Sequence, residues 1–288
     1  MPLRATAIRT AILCFSMLTA TGLDAADLDT EHLFGFMIGS DVGEAGEREF
    51  QSETTARISK GGGSYRAIEQ EFELEFTPAD NFRIELGSTF AMHDIAGVPG
   101  LADVSQSAWQ GVSVDLRYKF LDRNAAPFGL TLALETHGNR IDDTTAARVQ
   151  NYGNELTLAF DHELVRGLVV TGLNLLYQPE WTRFADSATA EQEATFGAAF
   201  SVMAQVRPGF FLGAESRYLR KYEGIALDAL AGQAFLVGPT AYFELSERSR
   251  LTVAWSFQAW GHATGSAGNL DLVDFERHQA RLTFGANF

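Results

Sequence analysis

The sequence has almost no cysteine and no apolar run long enough to cross a bilayer as a helix. Cys14 is the only cysteine among 288 residues, which excludes an intramolecular disulfide. A transmembrane helix needs about 20 consecutive apolar residues, and the apolar run at residues 11–20 is shorter. Basic residues are also scarce: the formal net charge is −15, which disfavours nucleic acid as a partner. A chain without disulfides can instead be held together by strand pairing, as in a closed barrel.

The first 26 residues have the features of a secretory signal peptide. Arg4 and Arg9 precede the apolar run, and Ala25 and Ala26 supply small residues for cleavage. We therefore expect residues 1–26 to be removed on export. Cys14 would be lost with them, so the mature protein would have no cysteine.

Alternation of apolar and polar residues dominates the rest of the chain. It is clearest in residues 109–137, where the apolar set is Val112, Val114, Leu116, Tyr118, Phe120, Phe128, Leu130, Leu132 and Leu134. A period of two predicts β-strands with one apolar and one polar face. In a soluble sandwich the apolar face is buried, whereas in a membrane barrel it faces lipid.

The same pattern predicts twelve strands, near 49–60, 64–77, 82–93, 108–120, 127–138, 150–162, 167–178, 190–206, 210–221, 231–245, 249–262 and 276–288. Short turns alternate with mostly longer loops, which favours a transmembrane, antiparallel up-and-down β-barrel over residues 49–288. Residues 27–48 lack clean alternation, and single-chain bacterial barrels have even strand numbers. We expect this segment to be periplasmic or inserted in the lumen; the alternative is fourteen strands.

The last strand carries the most specific resemblance. Leu282, Phe284 and Phe288 share its apolar face. The chain here resembles Gram-negative outer-membrane β-barrel proteins of porin or transporter type. The resemblance implies insertion in outer-membrane lipid and recognition of Phe288, Phe284 and Leu282 by the barrel-assembly machinery.

On the polar face, acids outnumber bases. The acids predicted to face the lumen are Glu53, Glu69, Glu71, Glu73, Glu75, Glu85, Asp115, Glu135, Glu155, Asp161, Glu193, Glu215 and Glu244. Turn positions predict a register that aligns Glu53, Glu73 and Glu85 across three adjacent strands. Like charges directly opposite one another destabilise a sheet, so this row needs a raised carboxyl pKa, a bound cation or basic groups that reach across the lumen.

Four arginines are predicted to compensate the acidic row. The predicted register sets Arg57 opposite Glu69 and Arg83 opposite Glu75, while Arg117 and Arg281 reach the row from elsewhere on the wall. This cluster suggests a passive channel or transporter for small solutes, with an acidic lumen that favours cations. A non-conducting structural barrel, held by the same ion pairs, is the alternative.

A lipid-acting hydrolase is a third possibility. The outward serines Ser52, Ser88 and Ser216 have no outward histidine nearby on the same strand, although a catalytic triad can also be assembled from distant strands. Glu135 and His137 share a face, but one such pair is more often structural. We therefore predict no enzyme activity, cofactor or metal.

Overall fold

A computed structural model describes residues 28–288 and contains twelve β-strands; the predicted signal peptide lies outside these residues. The strands are β1 (Arg48–Ile58), β2 (Ser64–Ala79), β3 (Phe82–Ala96), β4 (Val104–Leu121), β5 (Gly129–Ile141), β6 (Arg148–Val165), β7 (Val169–Phe184), β8 (Glu191–Arg207), β9 (Phe210–Glu223), β10 (Ala229–Ser246), β11 (Ser249–Ala263) and β12 (His278–Asn287). No helix in the described part of the chain has the length and apolar character to cross a membrane.

The strands form one closed antiparallel barrel. Each strand pairs with its neighbours in sequence, and β1 pairs with β12 to complete the circle. Connections of two to seven residues lie at one end, which we call the turn end; connections of five to fourteen residues lie at the other, the loop end. The predicted fold class and the predicted number of twelve strands are both confirmed.

Burial in this barrel is the reverse of that in a soluble protein. Arg83 and Glu85 on the inner wall are 1% and 2% exposed, whereas Val112 and Phe120 on the outer wall are 50% and 54% exposed. Because the barrel is closed, every strand backbone is paired and no strand edge is free. The apolar side chains on the outer wall therefore face the medium that surrounds the barrel. This arrangement suits lipid outside and polar groups inside, and it excludes the soluble sandwich.

The predicted register between β1 and β2 is wrong by two residues. The prediction set Arg57 opposite Glu69, whereas the structure sets Arg57 opposite Ala67. The connection is five residues long, with Ser59 and two glycines at positive φ, and the strand pairs are centred on residue 62 instead of the predicted residue 63. Because the shift is even, every side chain stays on its predicted face.

The register between β2 and β3 also differs from the predicted one by two residues, because the turn is tighter than expected and a bulge follows it. Ala79 pairs with Phe82, but the next pair is Phe76 with Ile84, so two residues of β2 oppose one of β3. One of these two is Pro78, which has no N–H for the ladder and is found in sheets mainly at edges and bulges. Beyond the bulge, Glu75 therefore faces Glu85 instead of Arg83.

Candidate functional site in the lumen

In the observed strand registers, the row of opposed acids has six members, whereas the sequence predicted three. Six carboxylates stand directly opposite one another across β1 to β6 on the inner wall: Glu49, Glu75, Glu85, Asp115, Glu135 and Glu155. The predicted row of Glu53, Glu73 and Glu85 is therefore wrong as a register. Glu53 faces Glu71, and Glu73 faces Gln51. One half of the barrel wall thus carries most of the opposed acids.

Arginines compensate the part of the row that is nearest the turn end. Arg83 contacts Glu75 at 3.2 Å and also pairs with Glu85. Arg117 lies 2.9 Å from Glu85 and 2.7 Å from Asp115. Further along the row, Glu135 and Glu155 have no arginine partner among the ion pairs of residues 28–288. The negative charge is therefore balanced unevenly along the row.

The predicted arginine pairs form despite the register error. Arg57 lies 2.6 Å from Glu69, and Arg281 lies 3.0 Å from Glu53. A shift of two residues along a strand leaves the partners as diagonal neighbours, still within reach of a long side chain. Glu73 instead accepts a hydrogen bond from the Gln51 amide at 2.5 Å.

The segment that precedes β1 enters the lumen from the turn end. Its middle is fixed by Glu215 on β9, whose carboxylate accepts hydrogen bonds from the backbone N–H groups of Gly35, at 2.5 Å, and Phe36, at 2.8 Å. Asn174 on β7 donates to the carbonyl of Ile38 at 3.0 Å and accepts from its N–H at 2.9 Å. We call residues 28–47 the inner segment.

A second set of contacts fixes the two ends of the inner segment to each other. Asp161 on β6 accepts hydrogen bonds from the hydroxyls of Thr30, at 2.5 Å, and Ser40, at 2.8 Å. Arg123 contacts both Asp161, at 3.4 Å, and Asp41, at 2.6 Å. Burial raises the pKa of Asp41, and the Arg123 guanidinium opposes that rise.

Apolar residues of the inner segment form a small core inside the barrel. The buried members of this core are Leu28, Leu33, Phe34, Met37, Val170, Ala199, Met203 and Phe211. Further in, the ring of Phe36 lies under two guanidinium groups, with Arg217 at 4.0 Å and Arg281 at 5.1 Å from the ring centroid. The short apolar run that interrupts the strand pattern is thus buried against one side of the inner wall.

A polar cavity of about 390 Å³ remains beside the inner segment. Eight acids line it, one from the inner segment and seven from the wall: Glu31, Glu53, Glu69, Glu71, Glu73, Asp115, Glu135 and Glu155. Five arginines also line it: Arg57, Arg83, Arg117, Arg217 and Arg281. The cavity therefore adjoins the part of the acidic row that has no arginine ion pair, and it is large enough for several water molecules or a small solute.

Loops narrow the opposite end of the barrel. Asp143, in the connection between β5 and β6, reaches Arg57 at 2.8 Å. In the connection between β11 and β12, Glu276 lies 3.5 Å from Lys60, and Asp271 is fully buried. The lumen is thus lined by polar loops at one end and filled by the inner segment at the other.

His32 of the inner segment is surrounded by carboxylates. Its Nε2 atom lies 3.5 Å from Glu31, 3.7 Å from Glu49 and 3.9 Å from Glu75. Burial, with a contribution from Arg250, lowers the pKa of His32 to about 3, so the imidazole is neutral near pH 7. This group was not predicted from sequence, because the inner segment lacks a strand period.

The three outward serines considered for a hydrolase have other hydrogen-bond partners in the described chain. The Ser88 hydroxyl accepts from the Trp109 indole at 3.1 Å, and Ser52 accepts from Gln70 at 3.0 Å. Ser216 donates to a backbone carbonyl at 3.5 Å. The outer wall thus gives no positive support to the hydrolase alternative.

The fold and the polar lumen together define an integral β-barrel of the bacterial outer membrane. The chain belongs to the Family of unknown function (DUF6662), whose model matches residues 26–288. No curated protein sequence matches it.

Solved structures show the same architecture at low sequence identity. The COG4313 outer membrane channel from Pseudomonas putida F1 is 13% identical, with a TM-score of 0.60 over 86% of this chain and 98% of that one. The β domain of the Bordetella autotransporter BrkA is 13% identical, with a TM-score of 0.52 over 85% of this chain and 100% of that one. These similarities support the outer-membrane barrel fold.

Proposed function

We propose that this barrel is a gated passage for small cationic solutes. The observation that carries the proposal is the acidic row, because it continues past its arginine partners to Glu135 and Glu155 at the cavity wall. Rings of carboxylates attract cations and exclude anions in pores. The similar fold of the channel from Pseudomonas putida is consistent with this role, although it transfers no site residue.

Gating is part of the proposal because the inner segment fills the turn end of the lumen. Its contacts with the wall are hydrogen bonds, ion pairs and a small apolar core. Among the described residues, its only covalent connection to the wall is the chain itself, which continues into β1. Such contacts can open locally without unfolding of the strands, whose backbones pair around the full barrel. Passage would then require displacement of the inner segment.

Ion selectivity in a planar bilayer tests the proposal. We expect the full chain to pass cations in preference to anions, and the double variant Glu135→Gln, Glu155→Gln to shift the reversal potential toward zero. Glu247→Gln, which removes one exposed charge in a turn between β10 and β11, should leave the reversal potential unchanged.

A non-conducting structural barrel is the second candidate. It is favoured by the filled turn end and by buried ion pairs such as Arg83–Glu75. Insertion into the bilayer without any current, under conditions that displace the inner segment, would favour this candidate. Current with no cation preference would instead contradict the acidic-row proposal.

A further inference from the structure

One junction between the inner segment and the barrel wall has the geometry of a metal site. The ligand atoms of Glu31, His32 and Glu75 all lie within 4.8 Å of one another. The distances from His32 Nε2 to Glu31, Glu49 and Glu75 are 3.5, 3.7 and 3.9 Å. Ligand atoms bound tetrahedrally at about 2.0–2.2 Å are roughly 3.3–3.6 Å apart, so small side-chain movements would bring these groups onto one ion.

The charges at the junction are not balanced by the protein. The connected acids are Glu31, Glu49, Glu73, Glu75, Glu85 and Asp115, and the connected bases are Arg83, Arg117 and Arg250. Six carboxylates against three guanidinium groups leave an excess of three negative charges when all are ionised. Buried charge without a partner is strongly unfavourable, so the junction requires either protons on some of these carboxylates or an added cation.

Glu75 supplies independent evidence for a missing partner. This residue is 3% exposed, and one of its two carboxylate oxygens, Oε1, is buried without a hydrogen-bond partner. Its other oxygen lies 3.2 Å from Arg83 and 3.9 Å from His32. Buried carboxylate oxygens are normally hydrogen-bonded or bound to a metal.

Arg83 already lies among the proposed ligands Glu31, His32 and Glu75. Its Nη1 atom pairs with Glu31 and lies 3.5 Å from His32 Nε2, which is at the limit of a hydrogen bond. Arg83 also pairs with Glu85 through Nη2. Arg83 can therefore keep its ion pair with Glu85 while Glu31 and His32 turn toward an ion.

We propose that His32, Glu31 and Glu75 bind a divalent metal ion that ties the inner segment to the barrel wall. Glu49 lies 3.7 Å from His32, but both of its oxygens pair with Arg250, so it would supply a fourth ligand only by leaving that arginine. An imidazole nitrogen together with carboxylate oxygens favours ions such as Zn²⁺ over Ca²⁺ or Mg²⁺, which prefer oxygen alone. The proposal goes beyond solute passage, because this ion is held and need not cross the membrane.

Zn²⁺ binding to the full chain tests the site without any bilayer current. The protein is extracted in detergent, stripped with a chelator and titrated with Zn²⁺ by calorimetry. We expect one ion per chain, and His32→Gln should weaken its binding by at least about tenfold, since even groups that only orient metal ligands contribute 10–100-fold. Should His32→Gln fail to fold, as judged by heat-modifiable electrophoretic mobility, Glu31→Gln provides the same comparison.

His137→Gln is the matched control. His137 also lies in the lumen, 3.6 Å from Glu135, but it is outside the proposed site, so the affinity for Zn²⁺ should not change. X-ray absorption of the loaded protein should show one imidazole nitrogen and at least two oxygens near 2.0–2.2 Å. No stoichiometric binding, or equal affinity in the wild type and both site variants, would overturn the proposal and leave Arg83 as the cation of this junction.

Discussion

Arg83 offers the most direct test of the buried ion pairs. Replacing it with Met removes the arginine partner of Glu75 and leaves Glu85 with Arg117 alone. Removing one member of a buried pair typically costs about 3–5 kcal/mol, so we expect Arg83→Met to lower the free energy of unfolding, measured by urea titration in lipid vesicles, by that amount.

Arg66 provides the matched comparison for Arg83. It pairs with Asp94 at 3.3 Å, but both side chains are more than half exposed. Exposed pairs contribute about 0–1 kcal/mol, so Arg66→Met should have a small effect. Similar losses from both variants would show that the inner wall is solvated and that Arg83 is not a buried counter-ion.

Single side chains on the inner wall were largely predictable, because their faces depend on alternation and not on register. Arg57 and Glu69 form their predicted ion pair although they are not directly opposite. His32 and Glu31 could not be predicted to meet Glu75, because their segment has no period and is positioned by distant residues. The tight turn after Ala79 and the bulge at Pro78 were not predicted either, and together they set the direct opposition of Glu75 and Glu85.

The twelve strands were predictable as elements because each combines a period of two with turn residues at its ends. Their pairing followed from order along the chain, since each connection is short enough to link neighbours. The inner segment was not predictable in the same way. Its apolar residues Leu33, Phe34 and Met37 pack against Val170 and other residues far away in sequence, and no local pattern reveals such contacts.

Strand β4 allows a test of which face meets lipid. Val114 lies on the outer wall near the middle of the strand, and Phe120 lies on the same wall near the turn end. An arginine facing lipid costs about 2–4 kcal/mol at the bilayer midplane and about 0–1 kcal/mol near the interface. Val114→Arg should therefore destabilise the barrel in vesicles much more than Phe120→Arg does.

Refolding in lipid and in detergent separates this depth effect from general damage. The difference between Val114→Arg and Phe120→Arg should shrink in a detergent micelle, which deforms around the charge more easily than a bilayer. If the two variants lose equal stability in vesicles, the assigned position of β4 in the membrane is wrong.

The complete barrel combines two features that oppose each other: an acidic lumen that attracts cations and an inner segment that fills one end. Glu215 and Asn174 connect them, since both wall residues are 3% exposed and bind the backbone of the inner segment. Each lost hydrogen bond costs about 0.5–1.5 kcal/mol, and those to a charged group about 1.5–3 kcal/mol. Removing both side chains should therefore shift the equilibrium strongly toward the state in which the inner segment is released from the wall.

Single-channel recording of Glu215→Ala, Asn174→Ala beside the wild type tests this account most directly. The wild type should be closed most of the time, and the double variant should show at least tenfold higher open probability, with cations still preferred. The control Glu193→Ala, Asn151→Ala removes the same residue types from the inner wall, where they contact Lys221 and Thr182 and not the inner segment, and should gate like the wild type. A wild type that is permanently open, or a double variant that never opens, would contradict closure of an acidic passage by the inner segment.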